Sequence, residues 1–99
     1  MVYRGREGGA VFTISLQERS LTVSLSNRVV SYDRGGRLYS VFEAGHTYRR
    51  GLNGHLLEKW QESDFPRRRW LPEPDADAVV EDASALLKRL SDAMRSGHW

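Results

Sequence analysis

Val11-Phe12-Thr13-Ile14-Ser15-Leu16 and Leu21-Thr22-Val23-Ser24-Leu25 decide the fold of this chain. In the first stretch Phe12, Ile14 and Leu16 alternate with Val11, Thr13 and Ser15. In the second, Leu21, Val23 and Leu25 alternate with Thr22 and Ser24. A strand turns successive side chains to opposite faces, so a period of two marks half-buried antiparallel strands. Gln17-Glu18-Arg19 between them has the length of a hairpin loop.

The pattern continues outward. Arg28 to Tyr32 reads as a third strand, with β-branched Val29 and Val30. Asp33-Arg34-Gly35-Gly36 supplies turn chemistry, because glycine accepts positive φ. A fourth strand follows from Arg37 to Ala44, broken by Gly45, and a fifth over Thr47 to Arg50. Gly51-Leu52-Asn53-Gly54 holds Asn-Gly, a hairpin signal, before a sixth strand at Leu56 to Trp60. Gly36-Arg37-Leu38 recurs as Gly54-His55-Leu56, each opening a strand after a turn. The expected fold class is α+β. Five or six strands form an antiparallel meander, a curled sheet or small barrel, covered by one C-terminal amphipathic helix.

That helix is expected over 75–95. Val79, Ala83, Leu86, Leu90 and Met94 recur at helical spacing, widened by Val80 and Leu87. Asp75 or Asp77 can cap its start, with Glu81 and Asp82 in the early turns and a stop near Gly97. The stripe serves best as a second layer on the sheet, since a bare meander needs one; pairing with a partner helix is the alternative. The expected core is Phe12, Ile14, Leu16, Leu21, Val23, Leu25, Leu38, Phe42, Val79, Ala83, Leu86, Leu90 and Met94. Residues 1–10, with three glycines and two arginines, read as a flexible arm. Residues 61–74, with prolines at 66, 72 and 74, read as an extended connector.

The 99-residue length gives a single domain over 11–99, and 39% apolar residues suit a folded core. With no cysteine there is no disulfide, thiolate zinc site or cysteine nucleophile, which fits a reducing cytoplasm. No apolar run reaches the ~20 residues that span a bilayer. The expectation is an intracellular protein without a cofactor. Residues 1–71 carry 12 basic against 7 acidic side chains, and 72–99 carry 3 against 6. Thirteen of the 15 basic residues are arginine. Arginine suits phosphate and carboxylate, although a GC-rich genome also enriches it.

The catalytic inventory is thin. His46 and His55 lie beside consecutive hairpins, without a third metal ligand at a recognisable spacing. Asp33, Glu43, Glu58, Glu62 and Asp64 fall in turns, on polar strand faces or in the connector, with no marked pair. There is no Gly-x-Ser-x-Gly elbow and no glycine-rich phosphate loop. The chain therefore reads as non-catalytic.

Arginines interleaved with aromatics make the candidate binding surface. Tyr48, Arg49 and Arg50 precede a turn, and Arg67, Arg68, Arg69 and Trp70 follow the sheet. Tyr32, Arg37, Tyr39 and Trp60 are candidates to join them. Cations meet phosphates and flat rings stack on bases, so RNA or DNA is one expected partner. The other readings are a protein partner or a second copy of the chain, and structural pairing of Arg67 to Arg69 with the acids that open the helix. The leading expectation is a small binding or accessory module for a protein partner, with nucleic acid as the alternative and a metal-dependent enzyme third.

Tyr32-Asp33-Arg34-Gly35-Gly36-Arg37-Leu38 resembles the signature of YD (Rhs) repeats, with a degenerate copy at Arg50 to Leu56. In so short a chain this implies shared hairpin chemistry rather than a shell. Residues 31–60, especially Thr47-Tyr48-Arg49-Arg50-Gly51-Leu52-Asn53-Gly54 and Leu57-Glu58-Lys59, resemble an N-terminal region of some bacterial radical-SAM proteins. That resemblance implies an accessory or recognition domain. The family's cluster-binding cysteines are absent, so it does not extend to radical chemistry.

Overall fold

A computed structural model describes residues 2–7, 10–18, 20–51, 53–62 and 65–95, with backbone only at 7, 10, 61, 62, 65 and 66. Arg19, Leu52, Asp64, the expected stop at Gly97 and His98 lie outside the described residues. The chain forms β1 (Val2–Glu7), β2 (Ala10–Leu16), β3 (Ser20–Leu25), β4 (Arg28–Asp33), β5 (Leu38–Glu43), β6 (His46–Arg50), β7 (Leu56–Glu62), β8 (Phe65–Trp70) and α1 (Glu73–Arg95). All eight strands join one antiparallel sheet in chain order, an open meander with β1 and β8 at its edges.

The meander and its helix match the expected class, but the strand count is eight rather than five or six. Both additions come from segments placed outside the sheet. Residues 2–7, expected as an arm, pair with β2 from Val2↔Ser15 to Glu7↔Ala10. Residues 65–70, expected within the connector, pair with β7 from Leu57↔Trp70 to Glu62↔Phe65. Proline is tolerated in edge strands, which leaves room for Pro66 in β8. Leu71 extends this pairing, its N–H donating to the Leu56 carbonyl at 2.8 Å. The helix begins two residues before its expected start. Pro72 accepts from the Ala76 N–H at 2.9 Å, and Pro74 falls in the first turn, where a backbone donor has no helical acceptor.

Cross-strand registry assigns the described strand side chains to two faces. One row runs Tyr3, Ile14, Val23, Val30, Val41, Tyr48, Glu58, Arg69 across all eight strands. This face carries the helix. Phe12, Ile14, Val23, Val30, Tyr32, Leu38, Val41, Leu56 and Leu71 pack with Ala83, Leu86 and Leu90. Leu21, Leu25, Val79, Val80, Leu87 and Met94 line the edge of this core. The Tyr32 hydroxyl donates to the Ala83 carbonyl at 2.7 Å, and Arg28 pairs with Asp82, so β4 is tied to the middle of α1. Burial of the Tyr32 phenol pushes its pKa up to about 12, with Arg28 opposing and Asp82 adding to the shift.

Two expected core residues are exposed, Leu16 at 40% and Phe42 at 54%. Leu16 ends its strand beside the hairpin. Phe42 is turned out by a bulge, because Ser31 pairs Ser40 while Tyr32 pairs Leu38 and leaves Tyr39 as the extra residue. The bulge resets the phase of β5. Leu38 and Val41 both face the helix, three residues apart, and Tyr39 and Phe42 are exposed.

The repeated Gly-x-Leu segments close similar turns. Gly36 and Gly54 have φ of 80° and 84°. Asp33 Oδ1 accepts from the Gly35 and Arg37 N–H groups, and Asn53 Oδ1 accepts from the His55 N–H. The recurrence is thus one turn chemistry used twice, delivering Leu38 and Leu56 to the core.

Candidate binding face

Among the described residues no element covers the face away from the helix. Registry places Arg4, Thr13, Ser24, Val29, Phe42, Thr47, Lys59 and Arg68 in one row on it. A second row runs Val2, Ser15, Thr22, Ser31, Ser40, Arg49, Leu57, Trp70. Hydroxyls occupy its middle, and cations and rings gather over β5–β8. Among the described residues the strands put one carboxylate here, Asp33. Its oxygen is engaged by the N–H groups of its own turn. The helix holds Glu73, Asp75, Asp77, Glu81, Asp82 and Asp92 on the opposite side of the sheet.

At the β6–β8 end Tyr39, Arg49, Arg50, Gly51, Leu57 and Trp70 line an open cleft of about 440 Å³. The Arg49 guanidinium donates to the Tyr39 hydroxyl at 2.8 Å and lies 5.5 Å from the Tyr39 ring centroid. Trp70 leans over the β6–β7 turn. A Cβ built on Gly51 would meet its ring at 3.1 Å, so glycine is what lets the indole sit down there. Trp70 nevertheless remains 56% exposed.

The structure divides the sequence-derived candidates between two faces. Arg49, Tyr39 and Trp70 meet at the cleft, with Arg68 on the same face. Arg50 also lines the cleft at the end of β6, although its pairing with Leu56 puts it in the helix-side phase. Arg67, Arg69 and Tyr48 are carried to the helix side by strand alternation. Arg37 sits in the β4–β5 turn. Tyr32, also considered for this surface, is buried under the helix. The residues missed from sequence are Leu57 and Lys59, which become visible as partners of Arg49 and Thr47 once β6 and β7 are paired.

On the helix side, Arg69 pairs with a carboxylate, though not chiefly the expected one. Its Nε donates to Glu58 Oε2 at 2.7 Å, and this bond raises the Arg69 pKa, with Asp75 of the helix adding a smaller effect. Arg69 also lies 5.9 Å from the Trp60 ring centroid. His46 stacks between Tyr48 and Trp60, with Nε2 3.8 Å from Glu58 Oε1. Burial raises the Tyr48 pKa, and the nearby Glu58 charge adds to the shift. Glu58 is 8% exposed, and these neighbours enclose it.

His46 and His55 do not converge. His46 pairs with Trp60 at the far end of the β6–β7 hairpin, and His55 lies in the turn that closes it. Among the described residues no group of three His, Asp or Glu side chains could hold a metal. No described helix is long and apolar enough to cross a membrane.

Comparison with protein-family models, curated proteins and solved structures finds no match. The functional reading therefore rests on the site.

Proposed function

We propose that this domain is a non-catalytic binding module whose working surface is the uncovered sheet face, and that it engages nucleic acid there. The observation that carries this reading is the segregation of charge. Arg49, Lys59 and Arg68 project beside exposed aromatic rings, and the described acids lie elsewhere or are held in turns. Such a surface attracts a polyanion, and each phosphate it neutralises releases counterions. Replacing Arg49, Lys59 and Arg68 together with serine tests it. Affinity for fluorescently labelled oligonucleotides should fall, and its dependence on log salt should flatten by ~0.7 to 0.9 for each phosphate that is no longer neutralised. Unchanged affinity and slope would refute the reading.

A second reading is a protein partner or a second copy of the chain. It is favoured by the two edge strands, β1 and β8, because an edge strand is where a further strand can be added. It agrees with the accessory role that the resemblance of residues 31–60 implies. A concentration-dependent mass in solution without oligonucleotide binding would favour it over the first.

A further inference from the structure

We infer that the cleft beside Trp70 takes one unpaired base, so that the uncovered face selects single strands over duplex. This rests on the nucleic-acid reading and deepens it. A surface that only collects phosphates needs cations and no depression. Here the cations stand at the lip of a cleft whose walls are flat. Trp70 forms one side, Tyr39 with Arg49 held against its ring forms the other, and Leu57 contributes apolar surface between them. The volume of about 440 Å³ lies within the ~300–1,000 Å³ typical of sites for flat organic ligands.

The chemistry that fits these walls is a heterocycle stacked on indole or phenol, with its phosphate near the guanidinium groups. Every base offers a π-face, so such a site tolerates sequence. In a duplex that face is buried by neighbouring pairs, and reaching it requires flipping at a cost of a few kcal/mol. Arg68 and Lys59 continue from the cleft across β8 and β7, placing positive charge where the adjoining backbone would run. The indole is already seated over Gly51, so no rearrangement of that wall is required.

The test compares an oligothymidylate of about 12 nucleotides, the same length of duplex, and free thymidine monophosphate at low and physiological salt. Fluorescence anisotropy reads the oligomers, and tryptophan quenching reads the mononucleotide. The expected result is tighter binding of the single strand than of either other probe. Trp70→Ala should weaken the single strand roughly 5- to 100-fold, corresponding to the loss of one base stack, and leave duplex affinity nearly unchanged. Trp70→Phe should restore much of the affinity, and an unaltered circular dichroism spectrum for both variants excludes misfolding as the cause. Equal binding of single strand and duplex, with Trp70→Ala neutral, overturns the inference and leaves the phosphate-binding face intact. Mononucleotide affinity equal to that of the oligomer also overturns it, in favour of a nucleotide pocket. No response to any probe at low salt removes both the inference and the reading beneath it.

Discussion

Strands β1–β5 and strands β6–β8 share one sheet but solve different problems. The row that crosses the helix-side face reads Tyr3, Ile14, Val23, Val30, Val41 through the first group, then Tyr48, Glu58, Arg69 through the second. Within this row the change comes at β6, although Tyr48 packs against the core and Leu56 of β7 belongs to it. Aliphatic side chains gain by leaving water together, and they need the helix above them. At the β7 and β8 positions of this row Glu58 and Arg69 instead satisfy one another. Glu58 is buried, but with Arg69 and His46 beside it rather than alone. Removing one member of such a group is costly, whereas its net contribution to stability is small. The first half of the sheet is therefore a scaffold, and the second half is a platform that the scaffold holds out.

The strongest challenge to this contrast is removal of α1. A chain ending at residue 73 should lose its cooperative thermal transition, because the faces of Val23, Val30 and Tyr32 would be open to water. A retained sharp transition would show that the sheet stands unaided. Next in size, Leu90→Ala or Leu86→Ala should cost ~2–5 kcal/mol in denaturant unfolding. Leu57→Ala, on the uncovered face, should cost much less. Equal losses would erase the distinction between the regions.

Tyr32 offers a pH-dependent version. Its pKa of about 12 lies above the unfolded value of 10.0, so its contribution is complete below pH 10 and is lost as pH rises towards 12. Stability should decline there by on the order of 1.4 kcal/mol per pH unit. Tyr32→Phe should lose about 1 kcal/mol at neutral pH with the hydrogen bond and lack this part of the alkaline decline. An identical alkaline profile for both proteins would contradict the buried phenol.

Adjacent arginines sharpen the comparison further. Arg69→Ser should lower the melting midpoint, since it strips Glu58 of its closest partner, and change oligonucleotide affinity little. Arg68→Ser should do the reverse. If both act alike, the two faces are not functionally separate. The smallest effect expected is that of Gly51→Ala. The added methyl group would displace the Trp70 ring, shifting its fluorescence emission while leaving stability within about 1 kcal/mol.

Much of the scaffold was legible in the sequence because its signal is periodic. β2 and β3 alternate apolar with polar residues, and α1 carries its stripe at helical spacing. β1 lacks such a signal, since its helix-side positions are Tyr3 and Gly5. β8 lacks it too, because a run of arginines looks the same in either phase. That also explains why Arg67, Arg68 and Arg69 read as one patch. Only pairing to β7 separates them. The Phe42 error has a related origin, since a single extra residue at Tyr39 shifts the phase without altering local composition.

The strand order itself has a consequence in time. Each strand pairs with the one before it in the chain, so the sheet can assemble through short closures, hairpin by hairpin. The bond from Tyr32 to Ala83, by contrast, joins residues 51 apart. Local closures favour rapid folding, whereas a distant one must wait until its ends are brought together. The slow event expected in making this molecule is then the return of the helix, and a sheet that formed ahead of it would show its apolar face to the solvent.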